Sequence, residues 1–139
     1  VILWDGYCPV HQWGFQMAQL KRLRHKFPAY ELLAHPECDE DITEAADKVF
    51  STGQMLDYIR THDRLIIATD AAFTDYLRHI YPDKQLVALS TRARCMNMRK
   101  TGLKDVLASL EYEQHVISVA PEIAQRALKS LDRMMELSA

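Results

Sequence analysis

The sequence predicts an α/β protein built in three layers, with a short parallel sheet between two layers of helices. Two observations predict it. Short apolar runs of strand length alternate along the chain with stretches of helical period. Residues able to do chemistry collect just after the predicted strands, where open parallel sheets bind their ligands. At 139 residues the chain can bury one ordinary core without disulfides.

Val1 to Trp4 is apolar and ends in Asp5-Gly6, so it predicts a buried strand entering a loop. Trp13 to Phe27 has the period of an amphipathic helix and stops at Pro28. Tyr30 to Ala34 predicts the second strand, closed by Pro36. Asp39 to Asp47 predicts a helix whose acidic first turn suits the dipole. Lys48 to Phe50 follows as a short strand, then a helix from Gln54 to Thr61. Arg64 to Thr69 is the clearest buried strand. A helix from Ala72 to Tyr81 ends at Pro82, and Gln85 to Leu89 is a further strand. Ser90 to Lys100 reads as an irregular loop. Two helices close the chain, Leu103 to Tyr112 and Pro121 to Leu137, with Pro121 suited to a first turn. The methionines, Met134 and Met135 among them, are expected to fill gaps in the packing.

Charge narrows the function classes. The formal net charge of −2 argues against a nucleic-acid surface or a polybasic membrane surface. The cluster Lys21-Arg22-Leu23-Arg24-His25-Lys26 shares its segment with Leu20, Leu23 and Phe27 at helical spacing, so it reads as a solvated helix face. No run is long and apolar enough to span a membrane, and no secretory signal pattern is present. Three scattered cysteines, Cys8, Cys38 and Cys95, do not make a disulfide framework; they suit a reducing cytoplasm, where thiols are free or bind metal.

Four segments could carry chemistry. Cys8-Pro9-Val10-His11 spaces a thiol and an imidazole so that both can reach one centre, and it reads as a loop. His35-Pro36-Glu37-Cys38 follows a strand, with Glu37 a candidate proton acceptor and His35 able to exchange protons near neutral pH. Ser51-Thr52-Gly53-Gln54 puts two hydroxyls at a helix N-terminus, which suits a phosphate or carboxylate but equally an ordinary N-cap. Cys95 lies between Arg94 and Arg99, which favour a thiolate. Each segment alone also fits a structural role.

Taken in order, these segments resemble quinolinate synthase. The pieces are Trp4-Asp5-Gly6-Tyr7-Cys8-Pro9-Val10-His11, Ala34-His35-Pro36-Glu37-Cys38, Ser51-Thr52-Gly53-Gln54-Met55, Ile67-Ala68-Thr69-Asp70, Pro82-Asp83-Lys84 and Cys95-Met96-Asn97-Met98-Arg99-Lys100, with Arg133-Met134-Met135 at the end. The resemblance implies one repeat of a pseudo-threefold, three-domain transferase of NAD biosynthesis, located in the cytoplasm. Residues 1–12 would end its second domain, 13–100 would form the third α/β domain, and 101–139 would be C-terminal helices packing back on the body. It implies a [4Fe–4S] cluster with Cys8 and Cys95 as ligands, and not Cys38. It also implies condensation of iminoaspartate, supplied by an L-aspartate oxidase, with dihydroxyacetone phosphate. His11, His35, Glu37, Ser51 and Thr52 match substrate-binding positions, with Glu37 and His35 catalytic. The chain opens at Val1 without Met, directly into an apolar run. The chain is therefore expected to be part of a longer enzyme, to lack the third cluster ligand and to be inactive alone. Two other readings remain: a mononuclear zinc site of Cys8, His11, His35 and Cys38, and a non-catalytic α/β module.

Overall fold

The computed structural model describes residues 6–138. The predicted strand at Val1 to Trp4 falls outside them. The chain forms two compact units, one ending at Met98 and one beginning at Arg99.

The first unit is a three-layer α/β/α sandwich. In chain order it holds α1 (Pro9–Trp13), α2 (Met17–Lys26), β1 (Glu31–Ala34), α3 (Glu40–Glu44), β2 (Lys48–Val49), α4 (Thr52–Ile59), β3 (Arg64–Ala68), α5 (Ala71–Ile80) and β4 (Gln85–Ala88). The strands are all parallel, in the order β2-β1-β3-β4. Glu31 pairs with Leu65, and Arg64 pairs with Gln85.

Successive strand residues point to opposite faces, and the core divides accordingly. Leu32, Ala34, Ile66 and Ala68 face one side, packed with Phe15, Leu20 and Ile42 from the segments around α1, α2 and α3. Leu33, Leu65, Ile67 and Leu86 face the other, against Met55 and Ile59 of α4 and Leu77 of α5. Leu32, Leu33, Leu65, Ile66 and Ile67 are all fully buried. Each such side chain contributes about 1.5–3 kcal/mol. Burial on both faces explains why Arg64 to Thr69 reads as a continuous apolar run.

The structure breaks the predicted helix at Trp13 to Phe27 in two. Pro9 begins α1 with Cys8 at the N-cap, so Cys8-Pro9-Val10-His11 is a helix start rather than a loop. Phe15 then turns inward to the core, and Gln16 starts α2 through a capping box with Gln19. Leu20 of α2 is buried, while Arg24 donates to the Ala45 carbonyl and to Asp47. Asp47 also accepts from the Leu32 amide, which stops α3 short of its predicted end. Ser51 caps α4 in a box with Gln54, so α4 begins at Thr52, two residues earlier than predicted.

The second unit contains α6 (Leu103–Tyr112) and α7 (Pro121–Ser138). Between them Glu113 and His115 adopt positive φ. Leu103, Leu107 and Leu110 of α6 and Leu128, Met134 and Met135 of α7 are exposed. The packing role expected for Met134 and Met135 is therefore not seen here, whereas Met55 is fully buried. Among the described residues, no helix is long and apolar enough to cross a membrane.

Two glycines give opposite expectations. A Cβ on Gly14, at the elbow between α1 and α2, would lie 2.1 Å from the Val10 carbonyl oxygen and 3.0 Å from Ala93 Cβ. A Cβ on Gly53 in α4 would meet nothing within 4 Å. Gly14→Ala is expected to cost about 1–3 kcal/mol through overpacking. Gly53→Ala should stabilise by about 0.5–1 kcal/mol through helix propensity. Urea midpoints of the two variants should move in opposite directions.

Candidate functional site

Because all the strands run the same way, the segments that leave their C-terminal ends share one rim of the sheet. His35 to Cys38 leaves β1, Phe50 to Thr52 leaves β2, Thr69 and Asp70 leave β3, and the Cys95 loop follows β4. The ladder continues past the strand ends: the His35 amide donates to the Ala68 carbonyl at 3.1 Å, and the Phe50 amide to Ala34 at 2.9 Å. Each loop thus starts from a fixed backbone.

His11 is the centre of the cluster. Its side chain is 12% exposed. Nδ1 lies 3.0 Å from Glu37 Oε2, and Nε2 lies 3.0 Å from Thr69 Oγ1. A carboxylate only accepts, so Nδ1 carries the proton toward Glu37. In the neutral ring Nε2 then accepts from the Thr69 hydroxyl, which is itself buried. The His35 ring stacks on His11 at 4.4 Å, nearly parallel.

His35 has the opposite tautomer. The Glu37 amide donates to His35 Nδ1 at 3.3 Å, which leaves the proton on Nε2. Burial lowers the His35 pKa, the neighbouring His11 lowers it further, and Glu37 partly offsets both. Glu37 reaches toward both rings from a position 60% exposed. Its backbone is held by Gln12, which donates to the Glu37 carbonyl at 2.9 Å.

The three cysteines differ. Cys8 is partly buried, and its sulfur, a His11 ring nitrogen and a Glu37 carboxylate oxygen all lie within 4.8 Å of one another. Cys95 is also partly buried, and its amide donates to Asp70 Oδ2. Cys38 is buried in the core, its thiol donating to the Ala68 carbonyl at 3.3 Å. Desolvation pushes the Cys38 thiol up to about 11. The converging donors are thus Cys8, His11 and Glu37, not the set of Cys8, His11, His35 and Cys38 considered for zinc.

Ser51 and Thr52 stand on the same rim at the start of α4. Ser51 Oγ accepts weakly from the Gln54 amide at 3.4 Å and lies 3.0 Å from Gln54 Oε1. Among the described residues, neither Ser51 nor Thr52 hydrogen-bonds to the His11 and Glu37 cluster. Sequence reasoning gave no task to Gln12, Thr69 or Asp70. The signal was available for the last two, since they are the first residues beyond the best-defined strand.

Two outcomes follow from these environments. Cys38 should resist alkylation at pH 8 in the native chain, while Cys8 and Cys95 react; peptide mass spectrometry reads all three. Folding holds His35 neutral, so the unfolded chain takes up its proton first as pH falls below the ordinary value of 6.5. Stability present above that value should therefore decline toward pH 5. A thermal-unfolding series should show a shallower decline in His35→Gln.

Residues 1–136 match the family model described as quinolinate synthetase A protein. A quinolinate synthase of Dehalococcoides mccartyi (strain CBDB1) is 38% identical, the match covering 99% of this chain and 46% of the relative. One from Geotalea uraniireducens (strain Rf4) is also 38% identical, covering 96% of this chain and 44% of the relative. Quinolinate synthase 1 of Methanosarcina acetivorans is 37% identical, covering 97% and 45%. The chain spans a little under half the length of these relatives. With a family match running through nearly every residue, the chain that gathers Cys8, His11 and Glu37 on one sheet rim belongs to the quinolinate synthetase A family.

Proposed function

We propose that this chain supplies part of the active site of a quinolinate synthase, which condenses iminoaspartate with dihydroxyacetone phosphate to quinolinate in NAD biosynthesis. The observation that carries the reading is the convergence of Cys8, His11 and Glu37 beside His35, in a chain of this family. Residues 1–12 would close the second domain and 13–100 form the third. Residues 101–139 would pack back on the body through the apolar faces of α6 and α7. An L-aspartate oxidase would supply the iminoaspartate, and the enzyme would work in the cytoplasm.

The donors fit a [4Fe–4S] cluster held in part by Cys8 and Cys95. Both thiols are free, partly accessible and on the strand-end rim. Cys38, held protonated in the core, is unsuited to ligation. When bound, the cluster supplies a Lewis acid.

The chain's own residues divide the remaining work. Glu37 has a carboxylate that is exposed enough to reach a substrate, and it accepts protons during the condensation. His35, held neutral, offers its Nε2–H as a hydrogen-bond donor that orients the substrate. His11 is fixed from both nitrogens and contributes to binding as a rigid wall of the pocket. Thr52 and the free amides at the start of α4 suit the phosphate or carboxylate groups of these anionic substrates, with Ser51 setting the helix start.

Substitutions in the complete enzyme test the division. Glu37→Gln should lower kcat by about 10²–10⁴-fold with iron content unchanged, the range expected when a general base is lost. Cys95→Ser should abolish iron retention after anaerobic reconstitution, and Cys38→Ser should leave it intact. Metal binding that survives Cys95→Ser but fails in Cys38→Ser would overturn the cluster and favour a zinc site.

A further inference from the structure

Two consecutive residues at the end of β3 touch both halves of the proposed site. Thr69, only 3% exposed, faces His11 Nε2 through its hydroxyl at 3.0 Å. Asp70 turns toward the Cys95 loop. Its Oδ1 accepts from the Ala72 amide at 2.8 Å and caps α5, while its Oδ2 accepts from the Cys95 amide. The same loop is clamped twice more. The Ala71 amide donates to the Ala93 carbonyl at 2.7 Å, and Arg94 pairs with Asp75 one turn along α5. Ala93, Arg94 and Cys95 are thus each anchored on α5 or its N-cap.

We propose that Thr69 and Asp70 are positioning residues: Thr69 fixes the ring plane and tautomer of His11, and Asp70 fixes the backbone that presents Cys95. The proposal rests on the reading of His11 and Cys95 as working residues. It adds that their separation is set by the two adjacent backbone positions that follow the central strand. β3 pairs on both sides and is buried on both faces. A hydrogen bond from the residues that leave it directly therefore ties a loop to the most rigid part of the unit.

The carboxylate of Asp70 makes the idea separable from helix capping. Each of its oxygens serves one amide. In an asparagine one of the two oxygens becomes an NH2 that only donates, so with its oxygen on the α5 cap it loses the Cys95 amide. A serine caps a helix well but is too short to reach Cys95 as well.

The test uses the full chain in metal-free form, with Asp70→Asn, Asp70→Ser and Thr69→Val. N-ethylmaleimide labelling of each cysteine is followed by mass spectrometry, and the His11 ring nitrogens by ¹⁵N NMR. Both Asp70 variants should speed Cys95 labelling by about three- to tenfold, as expected for a locally freed loop, with Cys8 within about twofold and Cys38 still protected. Thr69→Val should shift the Nε2 resonance of His11 and leave that of His35 in place. Unchanged Cys95 labelling in both Asp70 variants, or an unchanged His11 spectrum in Thr69→Val, would overturn the proposal. So would a rise at Cys38 matching that at Cys95, since that reports general loosening. None of these readouts involves iron. A failure of cluster binding in the unsubstituted enzyme is therefore a separate result, which counts against the cluster reading alone.

Discussion

The constraint on which the rest depends is the parallel sheet with β3 at its centre. A parallel strand exchanges its hydrogen bonds with neighbours that finish on the same side. Every loop leaving a C-terminal end therefore emerges on one rim, whatever its sequence. The apolar side chains of β1 and β3 are buried on both faces and fix the register. A slip of one residue would send Ile66 to the layer of Ile67 and carry Thr69 away from His11. The core therefore holds the rim in place, and the rim gathers the chemistry.

The hydrogen bonds on that rim also settle which atoms are free to react. His11 spends both ring nitrogens on protein partners, Glu37 and Thr69. His35 spends one, on the Glu37 amide. A ring tied at both nitrogens has no unpaired nitrogen left. His35 and Glu37 retain capacity: a ring N–H in one case and an accessible carboxylate in the other. The two stacked imidazoles thus carry opposite tautomers because their partners differ.

Much of this was legible in the sequence. Every strand expected among residues 6–138 is present, because two-sided burial leaves continuous apolar runs, and α2 and α5 carry their own stops at Pro28 and Pro82, whereas α1 stands where a loop was expected. The division of the Trp13 to Phe27 segment was not legible. Its helical period continues across Gly14, and only the inward turn of Phe15 and the cap at Gln16 reveal the break. Cys8, His11, His35 and Glu37 stood out as residue types at strand ends. That His11 and Glu37, far apart in sequence, would share a hydrogen bond depends on how α1 packs beside β1, which periodicity does not encode. The position of Thr69, just past a buried strand, is legible in the sequence, but its partner is not: the hydroxyl meets His11 only through the fold.

The cysteines show how burial sorts a residue type that sequence alone leaves ambiguous. All three occupy the segments that follow the sheet's strands or the start of α1, and a count of three matches a cluster with three protein ligands. Cys38 nevertheless points into the apolar layer with Ile42 and Ala68, where a thiolate would be left without solvation. Its thiol finds a carbonyl instead, and the proton stays. Cys8 sits at the N-cap of a short helix beside an imidazole and a carboxylate, and Cys95 on a loop whose amide is already satisfied by Asp70. In both, the backbone is fixed while the sulfur remains partly accessible. Spacing in sequence says nothing of this; the difference lies in how deeply each sulfur is buried.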